Sequence, residues 1–256
     1  MAEHALILIH GWTATARVNW GGVLDRVGDH YRVFAPDLHG HGKGHRDRKH
    51  FRLEDSADDI VRLLDEEGLD DAIVVGYSLG GAVAQLVWRR HPDRVRGLVL
   101  CSTAPWFRSY PIEWVNSFAL RGAAAALQRM PLEKRNRVAM KEAARRTRSE
   151  LLDEVKSELS GHDWGIVLEA GARIMRFDSR EWVGEIDVPT SVIVTVDDTV
   201  IPAFRQFVLA DTIPNAHLYT LTGDHSVCLH QPAKFGATLV RAVADVAADA
   251  RTIVSR

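Results

Sequence analysis

The sequence has few cysteines and almost no net charge. Its 256 residues include two cysteines, Cys101 and Cys228, which lie far apart and lack the spacing of metal ligands. We expect reduced thiols and an intracellular protein, with a single disulfide between them as the alternative. Lysine and arginine number 32 against 34 acidic residues, giving a net charge of −2. This balance gives no general attraction to nucleic acid or to an anionic membrane.

Long apolar segments are also missing. The first apolar run, Ala5 to Ile9, is too short for a signal peptide or a membrane span, and no lysine or arginine precedes it. No other stretch approaches the roughly twenty apolar residues that a spanning helix needs. The sequence therefore predicts a cytoplasmic protein without a membrane span.

Short apolar runs alternate with amphipathic segments, in a chain whose 46% apolar and 26% charged residues are typical of globular proteins. Runs without polar alternation favour strands that are buried on both faces. Strands that alternate with helices along the chain predict an α/β fold with a doubly wound, mainly parallel sheet. The predicted strands are Ala5 to His10, Arg32 to Ala35, Ala72 to Gly76, Gly97 to Cys101, Ser191 to Val196 and Ala216 to Leu221. The predicted helices between them are Glu54 to Glu66, Ala82 to Arg90, Pro202 to Ala210 and Pro232 to Ala250.

One segment breaks this alternation. Residues 105–185 contain no strand-like run and predict helices at Ile112 to Arg129, Leu132 to Arg146 and Ser149 to Leu159. We interpret them as an insertion, the cap, in a core domain made of residues 1–104 and 186–256. Four of the seven tryptophans lie in the cap, where they either line a cavity or form its own core. They are Trp106, Trp114, Trp164 and Trp182.

The strongest local signal is the sequence Gly76-Tyr77-Ser78-Leu79-Gly80-Gly81. It follows a predicted strand and opens a predicted helix, which is the setting of a nucleophile elbow. Glycines two residues before and after Ser78 remove side chains that would collide in so tight a turn. The alternative is a glycine-rich turn in which Ser78 only caps the helix.

A serine nucleophile needs a general base and an acid to orient that base. Residues after the later strands are the candidates, because the carboxyl ends of parallel strands meet at one edge of a sheet. His225 and His230 compete as the base, and the strand-end position favours His225. Asp197 and Asp198 compete as the acid, and spacing does not separate them. Asp224 is a third carboxylate, poorly placed as the immediate neighbour of His225.

Together these motifs resemble the α/β-hydrolase family over nearly the whole chain. The matching elements are His10-Gly11-Trp12, Asp37-Leu38-His39-Gly40-His41-Gly42, the elbow, Asp198 four residues before Pro202, and His225 seven residues before Pro232. The resemblance implies the triad Ser78, His225 and Asp198, and an oxyanion hole formed by the amides of Trp12 and Leu79. It also implies a sheet of about six strands, because the chain lacks the leading hairpin of many relatives.

The resemblance further implies the chemistry. We expect a serine hydrolase that cleaves a small carboxylic ester with an apolar acyl or aryl group, without metal or organic cofactor. Trp12, Tyr77 and Trp106 are the expected substrate contacts. Carbon-carbon bond hydrolases, lactonases, perhydrolases and acyltransferases use comparable triads, and some relatives are ligand receptors without turnover. A serine at the elbow argues against the epoxide-hydrolase and haloalkane-dehalogenase branches, which place aspartate there. The sequence does not indicate an oligomeric state.

Two further patterns have competing interpretations. Four histidines crowd one loop, and a solvated, flexible loop is favoured there over a metal site; they are His39, His41, His45 and His50. The cap also carries a basic stretch, which is either a solvated helix face or a site of attraction for an anionic acyl donor or membrane. Its residues are Arg129, Lys134, Arg135, Arg137, Lys141, Arg145, Arg146 and Arg148.

Overall fold

The computed structural model describes residues 5–28, 31–108, 111–146 and 157–254. Most of the helix predicted from Ser149 to Leu159 falls outside these residues, and so does Arg148. The side chains of Trp114, Arg145 and Arg146 also fall outside the described part.

Six parallel strands form one sheet within the described residues. Their order is β2-β1-β3-β4-β5-β6, and each neighbouring pair runs parallel. This confirms the predicted α/β fold with a parallel sheet of about six strands. The strands are β1 (Ala5–Ile9), β2 (Arg32–Phe34), β3 (Ala72–Tyr77), β4 (Val95–Cys101), β5 (Thr190–Thr195) and β6 (His217–Leu221).

Helices cover both faces of the sheet and fill the connections between strands. Short 3-10 turns at Pro92–Arg94 and Val183–Glu185 precede β4 and β5. The helices before the cap are α1 (Ala16–Trp20), α2 (Leu24–Gly28), α3 (Leu53–Glu66) and α4 (Leu79–Arg90). Those in the cap are α5 (Pro111–Gln128), α6 (Leu132–Arg146) and α7 (Trp164–Ile174). Those after it are α8 (Ala203–Thr212), α9 (Val227–His230) and α10 (Pro232–Val254).

Two apolar cores lie on opposite faces of the sheet. Successive strand residues point to opposite faces, so a strand that is covered on both sides is apolar throughout. In β3, Val74 joins the core under α3 and α4, whereas Ile73 and Val75 join the core under α1 and α10. The central strands β1, β3 and β5 are buried at every position. This explains why their apolar runs show no polar alternation.

The strand order changes direction between β1 and β3. From β1 the chain first builds outward to β2, and from β3 it builds outward the other way through β4, β5 and β6. In open α/β sheets, ligands bind outside the carboxyl ends of the strands at such a switch point. The elbow follows β3 and the His10-Gly11-Trp12 loop follows β1, so both border this crevice.

Residues 105–185, the predicted cap, lie between β4 and β5; their described part contains α5, α6 and α7 and an isolated antiparallel bridge between Trp106 and Asp178. Helix α5 packs against α7, and α7 also contacts α3 of the core. Glu169 of α7 joins the cap to the core, because its carboxylate accepts hydrogen bonds from Gln128 in α5 and from the Phe51 amide of the core. Within the described part of the chain, no helix combines the length and apolar character needed to cross a lipid bilayer.

Candidate active site

Ser78 occupies a strained turn between β3 and α4. Its φ is 54°, a left-handed value that a residue with a side chain seldom adopts. The turn closes tightly, because a Cβ added to Gly76 would lie 2.6 Å from the Cα of Gly81. On the far side of the turn, a Cβ on Gly80 would lie 2.7 Å from the carbonyl oxygen of His10. Only glycine fits at these two positions, so the backbone can hold Ser78 beside the end of β1.

A continuous chain of hydrogen bonds joins Ser78, His225 and Asp198. The Ser78 hydroxyl lies 2.9 Å from Nε2 of His225, and Nδ1 of His225 lies 2.6 Å from Oδ2 of Asp198. The side chains of Ser78 and Asp198 are buried, and His225 lies between them. The structure thus brings together three predicted residues that are separated by up to 147 positions in sequence.

The competing candidates have other partners. Asp197 accepts a hydrogen bond from the Gly223 amide at 3.1 Å, which ties the end of β5 to the loop after β6. His230 is half exposed, and its Nδ1 lies 4.0 Å from Asp224. Asp224 itself accepts from the Ser226 amide. None of these three residues takes part in the chain from Ser78 to Asp198.

Donors surround the Asp198 carboxylate. Its Oδ1 accepts from the amides of Val200 and Ile201 at 2.9 and 2.8 Å, and its Oδ2 accepts from Nε2 of Gln206 at 3.0 Å as well as from His225. Hydrogen bonds of this kind fix the orientation of a buried carboxylate. Gln206 is fully buried in α8. Sequence reasoning missed it, because one polar residue in a helix gives no local signal of its partner.

The loop after β1 passes directly beside the serine. A Cβ on Gly11 would lie 3.4 Å from Cβ of Ser78, so the main chain at Gly11 and Trp12 borders Ser78. Leu79 is the first residue of α4, where a helix amide has no acceptor within its own helix. The Gly11 amide is used elsewhere, since it donates to Oδ1 of Asn19 at 2.9 Å. The expected oxyanion donors, the amides of Trp12 and Leu79, therefore lie on the two chain segments that flank Ser78.

Tyr77 lies elsewhere than expected. Its ring is 3% exposed and sits in the core under α1 and α10, at interplanar angles of 87° and 81° to the rings of Trp20 and Phe235. Its hydroxyl donates to the carbonyl oxygen of His225 at 2.7 Å. Burial raises the pKa of this phenol above its ordinary value. The expectation that Tyr77 contacts substrate is corrected: β3 turns this side chain to the opposite face, below the His225 loop.

The other two expected substrate contacts have partners in or near the cap. Trp12 donates from Nε1 to the carbonyl oxygen of Val167 in α7 at 2.6 Å. Trp106 lies with its ring centre 6.3 Å from that of Phe204 and beneath the guanidinium of Arg180, whose carbon is 5.1 Å from the ring centre.

The histidine-rich loop is packed, contrary to the expectation of a solvated loop. His39 and His41 are buried, and His41 lies between the rings of His10 and His162 at centroid distances of 5.1 and 5.3 Å. Burial holds the pKa of His41 well below its usual value and lowers the pKa of His162 to about 4. Both rings are therefore neutral near pH 7. His162 belongs to the cap, so this cluster joins the cap to the core.

One group in the described residues has metal-ligating atoms close together. Nitrogens of His39 and His45 and a carboxylate oxygen of Asp47 lie within 4.8 Å of one another. His45 already has a carboxylate at each ring nitrogen, with Nδ1 beside Asp47 at 2.5 Å and Nε2 beside Asp59 at 2.7 Å. Arg48 also pairs with Asp59, at 2.8 Å. The carboxylates thus have cationic or hydrogen-bonding partners from the protein itself.

Comparisons with known proteins agree with this architecture. The family model described as "alpha/beta hydrolase fold" matches residues 4–232. The chain is 30% identical over 230 residues to a pimeloyl-[acyl-carrier protein] methyl ester esterase of Aromatoleum aromaticum, covering 83% of this chain and 87% of that one. It is 26% identical over 248 residues to the enzyme of that name from Yersinia enterocolitica, covering 92% and 91%. Among solved structures, a thermophilic esterase from Thermogutta terrifontis superposes with a TM-score of 0.79 at 24% identity, covering 96% and 91%.

Proposed function

The chain belongs to the alpha/beta hydrolase fold family, and from that membership we propose that it hydrolyses carboxylic esters with Ser78 as the nucleophile. The observation that carries the proposal is the hydrogen-bonded chain from the Ser78 hydroxyl through His225 to Asp198. Esterases among the relatives support the same reaction class.

The proposed reaction has two halves. Oγ of Ser78 attacks the ester carbonyl carbon while Nε2 of His225 takes the hydroxyl proton, and the amides of Trp12 and Leu79 stabilise the resulting oxyanion. His225 then gives its proton to the leaving alcohol, and an acyl-enzyme remains. Water attacks the acyl-enzyme with His225 again as the base, which releases the acid and restores the serine. Asp198 holds the imidazole in the required tautomer throughout.

We propose that the cap, residues 105–185, covers the carboxyl ends of the strands and selects the substrate. The burial of Ser78, which is 7% exposed, supports a site that is closed to bulk water. Apolar and aromatic residues in the cap favour an apolar acyl or aryl group.

The direct test is hydrolysis of p-nitrophenyl esters of increasing chain length, together with mass analysis after treatment with a fluorophosphonate. We expect turnover and one covalent adduct in the wild type, and neither in Ser78→Ala. Ser56→Ala is the matched control, because Ser56 is also a buried serine but lies on α3, away from the elbow. A wild type that cleaves no ester and forms no adduct would reject the proposal in favour of a ligand receptor.

The basic helix α6 favours one more specific substrate. Its exposed residues Lys134, Arg137 and Lys141 form a cationic stretch, and Arg129 is exposed just before it. A cationic surface attracts an acidic carrier protein more strongly than a free ester. The relatives named pimeloyl-[acyl-carrier protein] methyl ester esterases agree with this second candidate, a methyl ester whose acyl chain is attached to a carrier protein.

Charge reversal separates the two substrates. In a Lys134→Glu, Arg137→Glu variant we expect kcat/KM to fall about tenfold or more for a carrier-linked methyl ester at low salt, with p-nitrophenyl ester hydrolysis unchanged. Lys49→Glu is the control, an exposed lysine outside the cap. Equal rates for variant and wild type on the carrier-linked ester would remove the carrier from consideration.

A further inference from the structure

The indole of Trp12 is held by the cap rather than left open to substrate. Its Nε1 donates to the carbonyl oxygen of Val167, a residue 155 positions away in α7. We propose that Trp12 is a positioning residue through which α7 sets the direction of the oxyanion-binding amide. This inference rests on the proposed function, because that function assigns the Trp12 amide to the oxyanion hole.

The surface of α7 accommodates the ring. A Cβ added to Gly171 would lie 2.6 Å from Cε2 and 3.0 Å from Cη2 of Trp12. Glycine inside a helix costs about 1 kcal/mol relative to alanine, so a glycine here is unfavourable for the helix alone. The missing side chain provides the space in which the indole lies. Val167 and Gly171 are four residues apart, so they contact the ring from one face of the helix.

The main chain next to Trp12 is fixed from the other side by the core. The Gly11 amide donates to Oδ1 of Asn19, a buried residue of α1. His10 accepts the Leu38 amide at 2.9 Å on Nε2, which fixes the start of the same loop. The Trp12 amide therefore lies between a main-chain hydrogen bond to the core and a side-chain hydrogen bond to the cap. The direction of the Trp12 N–H bond therefore depends on both of these hydrogen bonds.

Helix α7 is itself anchored where the cap meets the core. The amide of Asp163, the residue that caps α7, donates to the carbonyl oxygen of Gly40 at 2.7 Å. One residue earlier, Nδ1 of His162 accepts the Gly42 amide at 2.9 Å. A shift of α7 at this junction moves Val167 and Gly171 together, and with them the indole. The cap thus acts on the transition state without contacting the reacting atoms.

This arrangement differs from a substrate contact in its kinetic signature. A ring that binds substrate changes KM, because its contact exists in the ground state as well as in the transition state. A ring that orients an oxyanion donor changes kcat, because the oxyanion forms only in the transition state. The indole N–H is already satisfied by Val167, which leaves no donor on this side chain for a substrate.

The test compares two changes at one contact. Trp12→Phe removes the hydrogen bond to Val167, and Gly171→Ala pushes a methyl group against the indole. We expect each to lower kcat for a p-nitrophenyl ester about tenfold with KM within about twofold of wild type. The smaller phenyl ring leaves room for the added methyl, so the double variant is expected to match Trp12→Phe alone. Trp164→Phe is the matched control: Trp164 is also a buried tryptophan at α7, and its Nε1 has no hydrogen-bond partner in the described structure.

Other outcomes overturn the inference. A rise in KM with kcat unchanged makes the indole a substrate contact, and strictly multiplicative losses in the double variant mean that the two residues act separately. If Trp12→Phe does not fold, Gly171→Ala alone tests the inference by the same expected loss of kcat at nearly unchanged KM. Fluorophosphonate labelling of the wild type distinguishes failure of the proposed function from failure of the role of Trp12. An unlabelled wild type rejects the proposed function. A labelled wild type whose variants have unchanged kinetics rejects only the role of Trp12.

Discussion

Tyr77 and His225 are joined by a hydrogen bond from the tyrosine hydroxyl to the histidine main-chain oxygen, 2.7 Å long and lying beneath the loop after β6. The residue immediately before Ser78 thus supports the backbone of His225. The elbow and the His225 loop come from chain segments almost 150 residues apart, and this bond fixes one relative to the other.

Removal of that hydroxyl tests its importance. We expect Tyr77→Phe to lower the free energy of unfolding by about 1 kcal/mol, because the half-buried His225 carbonyl loses its donor. We also expect kcat to fall roughly fivefold as the imidazole loses its exact position. Urea denaturation and ester kinetics measure both. Tyr219→Phe is the control, since that hydroxyl bonds Asp245 far from the site; an equal loss of kcat there would contradict the prediction.

Gln206 is expected to matter for activity beyond its part in folding. In Gln206→Leu, Asp198 loses one donor on the oxygen that His225 uses, and we expect kcat/KM to fall about tenfold. Gln85→Leu provides the comparison, because Gln85 is equally buried and hydrogen-bonded to Gly81 and Ala104 but has no contact with Asp198. Similar urea midpoints with unequal kinetics support the prediction. Equal kinetics in the two variants count against it.

The two glycines Gly76 and Gly122 are expected to respond to alanine in opposite directions. A methyl group at Gly76 would meet the backbone of the elbow, so we expect Gly76→Ala to lose at least about 3 kcal/mol of stability or to fail to fold. Gly122 lies in α5 with nothing within 4 Å of an added Cβ. Gly122→Ala is expected to gain about 0.5–1 kcal/mol. Urea denaturation of both variants measures their free energies of unfolding. A stable Gly76→Ala would show that the turn accommodates a methyl group and would contradict the prediction.

Stability is expected to fall in mild acid because of His162. Its Nδ1 accepts the Gly42 amide, so the ring is neutral with its proton on Nε2, and burial lowers its pKa from 6.5 to about 4. A histidine whose folded pKa is depressed binds fewer protons folded than unfolded in this window. The free energy of unfolding therefore decreases as pH falls from about 6.5 to about 4, by up to about 3 kcal/mol, and is independent of this group above that range.

A substitution isolates this contribution from other acid effects. His162→Asn retains an acceptor for the Gly42 amide but does not titrate, so we expect a flatter dependence of stability on pH between about 4 and 6.5. His230→Asn, at a half-exposed histidine, is expected to leave the wild-type dependence intact. Chemical denaturation at several pH values supplies the measurement. A profile of His162→Asn that parallels the wild type would assign the acid sensitivity to another group.

Much of the fold follows from the sequence because its signals are local. Apolar runs of strand length define the sheet, and the glycines around Ser78 are set by contacts within one turn. The position of Tyr77 could also have been predicted from the sequence. Tyr77 is two residues beyond Val75 on β3, so the two side chains lie on the same face of the sheet.

What sequence reasoning missed depends on long-range contacts. The partner of the Trp12 indole lies on a helix 155 residues away, and the burial of His39 and His41 depends on how the cap meets the loop. In the sequence, Asn19 and Gln206 are ordinary polar residues of helices. Their roles become visible only in the structure, where Asn19 accepts the Gly11 amide and Gln206 donates to Asp198. Spacing along the chain contains no information of this kind.

The order of the site residues along the chain has a consequence during synthesis on the ribosome. Strands β1 to β4 carry the serine and its flanking amides and are complete by Cys101, whereas Asp198 and His225 follow the two strands that are made last. Until β5 and β6 join the edge of the sheet, a nascent chain contains the elbow without His225, its proposed base. A serine hydroxyl without a base is a weak nucleophile, so under the proposed mechanism the growing polypeptide gains activity toward esters only when its final quarter has folded.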